Sequence, residues 1–136
     1  MKKLNFFRTF VLLAASMLLF SSCQKDPEDL LIGKWQIVAS EDGYLLPDGS
    51  TEDVLYNEVV GVQFDFREDG TVSIMAEGEL NVFKWVYADN VVSFEQDGEV
   101  VNMEIKSIDK EKMSGYVEES YEDECFYSKW DFMKIE

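Results

Sequence analysis

From residue 31 onward the sequence predicts an all-β fold, a small antiparallel up-and-down barrel of about eight strands. Three observations predict it. Short runs alternate apolar and polar residues at period two, and no long stretch keeps a helical period. Turn-forming pairs such as Asp69-Gly70, Asp89-Asn90 and Asp97-Gly98 separate the runs. Finally, each hairpin can be tested by register, because a one-residue slip turns every side chain to the other face.

The first strand is GKWQIVAS, residues 33–40, with Trp35, Ile37 and Ala39 on one side and Lys34 and Gln36 on the other. A long segment, residues 41–58, reads as a loop. VVGVQFDFR, residues 59–67, alternates Val60, Val62, Phe64 and Phe66 against Gly61, Gln63, Asp65 and Arg67. A two-residue turn at Asp69-Gly70 would set Phe66 against Ser73 and waste the core. A three-residue turn, Glu68-Asp69-Gly70, sets Phe66 against Val72 and Phe64 against Ile74, with Gly70 in the left-handed position of a bulged hairpin.

The following turns repeat the test. A two-residue turn at Asp89-Asn90 faces Tyr87 with Val92 and Trp85 with Phe94. One at Asp97-Gly98 faces Phe94 with Val101 and Val92 with Met103. Three residues at 109–111 face Met103 with Val117. A six-residue acidic loop, ESYEDE at 119–124, then faces Val117 with Phe126 and Met113 with Trp130. The result is a continuous meander from about residue 59 to 135, and the first strand completes a set large enough to close and leave no edge.

The N-terminus is an address rather than part of the fold. Lys2, Lys3 and Arg8 precede an apolar run, Phe10–Phe20. That run is too short for a bilayer core, which needs about 20 residues. Small residues Ser21 and Ser22 follow, the layout of a cleaved secretory signal peptide. The stretch Phe20-Ser21-Ser22-Cys23 resembles a bacterial lipobox, with Phe where Leu is usual. That resemblance implies cleavage before Cys23, diacylglycerol on its thiol and acylation of the new amine, so that Cys23 anchors the chain in a membrane. Without it, the leader is a plain signal peptide. Gln24-Lys25-Asp26-Pro27-Glu28-Asp29 is polar and acidic and reads as a solvated tether. It resembles the acidic export signal of Bacteroidetes lipoproteins carried to the outer face of the outer membrane. The expected organisation is a lipoprotein signal peptide at 1–22, a lipid-anchored acidic tether at 23–30 and a barrel domain at 31–136.

Composition narrows the function. The leader holds three of the 12 basic residues and none of the 28 acidic ones. The remainder therefore carries nine basic and 28 acidic residues, a net charge of −19. Such a surface repels nucleic acid and anionic headgroups, and it keeps the protein soluble. The chain has no His, which removes Ser-His-Asp and Cys-His catalysis and imidazole-built zinc sites. Phosphate-binding and dinucleotide-binding glycine patterns are absent. DFREDGTVSIMAE fails as a calcium loop, because Arg67 stands where a ligand is needed. Glu118, Glu119, Glu122, Asp123 and Glu124 read as a solvated loop rather than a calcium site. With Cys23 acylated, Cys125 has no partner for a disulfide. No metal, cofactor or enzymatic activity is expected. The acidic residues sit in turns, where they are ordinary turn formers, and sequence alone places no pair of them at a glycosidase spacing.

Gly33-Lys34-Trp35 at the start of the first strand resembles the Gly-x-Trp signature of lipocalins and related calycins. Residues 41–58 fall where lipocalins carry a large lid loop. FDFREDGTVSI and FKWVYADNVVSFE resemble the paired strand motifs of short lipocalin-like lipoproteins of Bacteroidetes. The resemblance covers nearly all of residues 30–136. It implies a barrel open at one end that holds a small apolar ligand. Lipocalins also place an Arg near the chain end on the signature Trp; here Arg67 lies elsewhere, and Lys129 and Lys134 are the late basic residues.

Register points Phe64, Phe66, Ile74, Phe83, Trp85, Phe94, Met103, Ile105, Trp130 and Phe132 inward. The candidate ligand-binding residues are Tyr44, at the mouth, with Phe64, Trp85, Phe94, Met103 and Trp130. Two readings follow. If the barrel is hollow, it binds a lipid, sterol or other small hydrophobic molecule. If its rings fill it, as side chains do in small barrels, it is an accessory lipoprotein that binds an envelope protein or glycan through its outer face and loops, with Tyr44, Leu45, Leu46 and Tyr121 exposed.

Overall fold

The structure, a computed structural model, describes residues 26–54 and 58–136; the leader and Cys23 lie outside the described residues. A short helix α1, Pro27–Leu31, precedes nine strands: β1 Gly33–Leu45, β2 Thr51–Val54, β3 Gln63–Phe66, β4 Thr71–Ala76, β5 Glu79–Ala88, β6 Val91–Gln96, β7 Glu99–Ile108, β8 Lys112–Tyr121 and β9 Glu124–Lys134. From β3 to β9 each strand pairs antiparallel with the next. β1 pairs with β9 along one edge and with β3 along the other, which closes an eight-strand barrel. β2 is the extra strand. It shares the β3-side edge of β1 farther along, at Asp42–Leu45.

Most of the predicted hairpins stand. Phe64 faces Ile74 and Phe66 faces Val72. Trp85 faces Phe94, and Tyr87 faces Val92. Val92 faces Met103. The turn pairs adopt the left-handed backbone their residue types tolerate, with φ of 50° at Asp89, 64° at Asn90 and 52° at Asp97. Aspartates brace other turns. Asp69 accepts from the Thr71 amide and hydroxyl at 2.9 and 2.6 Å, and Asp109 accepts from the Glu111 and Lys112 amides at 2.8 and 2.7 Å. These bonds hold both carboxyls below the usual range.

Four expectations need correction. The segment 41–58 is not one loop, because β1 runs through Leu45 and turns back as β2. Val60 is exposed in a turn, and regular pairing of that run begins at Gln63. The β8–β9 connection is a tight turn at Glu122-Asp123 rather than a six-residue loop, so Val117 faces Ser128 and Met113 faces Phe132. The two-residue shift keeps both faces and changes only the partners. Finally, a β-bulge at Val38 interrupts β1. Trp35 and Ile37 are buried as expected, but Ala39 is exposed. Met103 does face Val117, with help from a second bulge between Ile105 and Ser107 that offsets a longer β7–β8 turn.

The barrel interior is packed with rings. Phe64 is the hub, with centroids 5.3 Å from Phe132, 5.8 Å from Phe94, 6.1 Å from Phe66 and 6.2 Å from Trp130. Val72, Val92, Met103 and Met113 fill the space between them. Gly115 leaves room for the Met103 thioether, which a Cβ would meet at 2.5 Å.

One end of the barrel is plugged. α1 is too short to stand alone, and it is held by the burial of Leu31. The Trp35 indole N–H donates to the Leu31 carbonyl at 2.9 Å. The Lys134 ammonium lies 5.2 Å from the Trp35 ring centre and donates to the Ile32 and Leu30 carbonyls at 2.8 and 3.4 Å. A cation over an indole face is favourable, and the same group satisfies carbonyls at the helix end.

A second contact holds β2 on the outside. Tyr127 points away from the core, yet only 2 % of it is exposed, because its ring covers Gly43 on the neighbouring strand. Its hydroxyl donates to Asp53 on β2, which, with burial, raises the phenol above its usual pKa. A side chain at residue 43 would collide with the Glu52 carbonyl at 2.5 Å and the Tyr127 ring at 2.7 Å. Gly43→Val should therefore strip β2 from β1 at a cost of about 1–3 kcal/mol. Hydrogen exchange should quicken at 51–54 and stay slow in β5 and β6; unchanged protection of β2 would refute this.

Candidate functional site

The wall formed by β8, β9 and β1 is built in inward-facing layers. The deepest holds Met113, Phe132 and Ile37. Above it come Gly115, Trp130 and Ser40, then Val117, Ser128 and Asp42, and last Glu119, Phe126 and Tyr44. The bulge at Val38 makes this possible. It inserts one residue, so Ser40, Asp42 and Tyr44 point inward, where an unbroken strand would have turned them out.

The upper layers open into a cleft of about 360 Å³ lined by Asp42, Gly43, Tyr44, Glu58, Glu119, Phe126, Tyr127 and Ser128. Its aromatic wall is the Tyr44–Phe126 pair, with ring centres 4.7 Å apart and planes inclined by 46°. The Ser40 hydroxyl donates to Asp42 at 3.3 Å. One layer below Ser128, Trp130 packs against the core, and its indole N–H is buried with no hydrogen-bond partner among the described residues. At the plugged end a second cleft, of about 580 Å³, is lined by Glu28, Asp29, Ile32, Glu68, Gly70, Trp85 and Lys134.

The predicted site residues do not gather in one place. Tyr44 lines the mouth cleft. Phe64, Phe94 and Met103 lie in the packed interior. Trp85 is at the opposite end, where its N–H is shared between the Arg67 and Thr71 carbonyls at 3.2 and 3.0 Å. Trp130 sits between core and mouth. Cys23 is outside the described residues, and of the Tyr121 side chain nothing is described. The acids of 118–124 form no group able to hold a metal among the described residues. Sequence reasoning missed Asp42, Glu58, Glu119, Phe126 and Ser128 as lining residues. The bulge hid Asp42, and the misread β8–β9 turn left Glu119 in a loop and set Phe126 against Val117.

Comparison of the chain with protein-family models, curated proteins and solved structures finds no match.

Proposed function

We propose that this chain is an outer-membrane lipoprotein, held by acylated Cys23, whose barrel receives a small ligand with an apolar face at the mouth beside Tyr44 and Phe126. The observation that carries this reading is the 360 Å³ cleft with its ring pair, set above a packed core. Its size lies within the range of small-molecule sites, about 300–1,000 Å³. The ligand sits on the rings at the mouth rather than deep in the barrel. Kinship with lipocalin-like lipoproteins is supported by Gly33-Lys34-Trp35 beginning β1 and by Lys134 lying over Trp35, a late cation on the signature ring. The protein acts by binding and not as an enzyme.

The test is calorimetric titration of the chain with naphthylmethanol, a neutral apolar probe that fits the cleft. Binding with a negative heat-capacity change is expected, the dependable mark of apolar burial. Phe126→Ala should weaken it about tenfold. No binding, or binding indifferent to Phe126, would overturn the reading. The accessory-protein role would then take its place, favoured by the filled interior and by exposed Leu80, Val82, Val86 and Val100 on the outer sheet face.

A further inference from the structure

Charge is distributed unevenly around the mouth. Asp42, Glu58 and Glu119 contribute three carboxylates to the cleft, and none of its lining residues is Lys or Arg. Glu119 shares a layer with Phe126 and Tyr44, and Asp42 lies in the layer beneath. The nearby lysine of β9, Lys129, faces the other way and lies 5.6 Å from the Tyr127 ring centre on the outer surface. Among the described residues no ion pair joins Asp42, Glu58 or Glu119 to a cation. Apolar rings beside uncompensated carboxylates are poor surroundings for an anion. They suit a cation, which gains from the ring faces as well as from the acids.

We propose that the mouth selects an organic cation, an amine or quaternary ammonium group carried on an apolar body, and turns away carboxylates such as fatty acids. This rests on the mouth being a ligand site and adds the charge of the ligand to it. The apolar body covers Tyr44 and Phe126, and the positive group faces Asp42, Glu58 and Glu119. The net charge of −19 that remains without the leader would also draw such a ligand in at low salt.

The experiment titrates the full chain with three probes of one shape: naphthylmethylammonium, naphthylmethanol and naphthoate. The cation should bind at least about tenfold tighter than the alcohol, and naphthoate should bind more weakly than either. Raising the salt should erode the advantage of the cation and leave the alcohol unchanged. Asp42→Asn combined with Glu119→Gln should remove most of that advantage, measured as the ratio of cation to alcohol affinity, with an unchanged β-sheet circular dichroism spectrum and unfolding midpoint showing that the variant is folded. If the alcohol binds and the cation gains nothing, the charge assignment falls and the mouth remains an apolar site. If none of the three binds, the assignment and the mouth site fall together.

Discussion

Truncating Trp35 to alanine should cost about 3–5 kcal/mol, the range for deleting a large buried aromatic. The residue is fully buried and joins three parts of the plugged end. Its ring packs in the core, its N–H holds the Leu31 carbonyl and its face carries the Lys134 ammonium. Alanine would leave a cavity, an unmet carbonyl and a cation without its ring. Against a typical total of about 5–15 kcal/mol, that is a large share of the stability. Denaturant unfolding measures the loss. Trp35→Phe separates the contributions: it keeps most of the volume, loses the hydrogen bond and should recover much of the stability. A Trp35→Ala loss below about 1 kcal/mol would show that the plug is not a structural keystone.

Cys23→Ala should release the protein from the membrane, or leave its leader uncut, because both acylation and cleavage depend on that thiol under the lipoprotein reading. α1 begins at Pro27, four residues after Cys23. Even fully extended, that stretch reaches only about 14 Å. Under that reading the plugged end, where α1 packs, would be held near the bilayer and the mouth would be the end farther from it. Glu28, Asp29 and Glu68, at the plugged end, would resist closer approach to anionic headgroups. Fractionation and fatty-acid labelling measure the outcome. A Cys23→Ala protein that still incorporates label and sediments with membrane would rule out this anchor.

The hairpins at Asp89-Asn90 and Asp97-Gly98 were legible because local and distant signals agreed. The dipeptides accept positive φ, and only one loop length set apolar residues against apolar ones. Where those signals parted, the sequence misled. Glu122 takes a φ of 54° inside an acidic run with no glycine, so the run marked where β8 turns into β9 and nothing local marked how short the turn is. The bulge at Val38 had no glycine either, and unbroken alternation set Ala39 with Trp35 and Ile37, so nothing local marked the extra residue, which is 44 % exposed. The barrel survived these errors because a two-residue slip keeps every face. The mouth did not, because it depends on which residues of β1 follow the bulge. Lys134 was visible as a late basic residue, but its place over Trp35 required the closed topology.

The Val38 bulge is one residue of spare length between the plug and the mouth. A chain that lost any single residue from 38 to 41 could straighten the bulge and still present Asp42 and Tyr44 inward, with Trp35 and Ile37 undisturbed below. Mutational loss in this interval would then be absorbed as slack, whereas the same loss between Trp35 and Ile37 would carry into the packed base. The two ends of β1 are thus free to change at different rates: the mouth can be re-cut by insertion and deletion while the foundation stays in register.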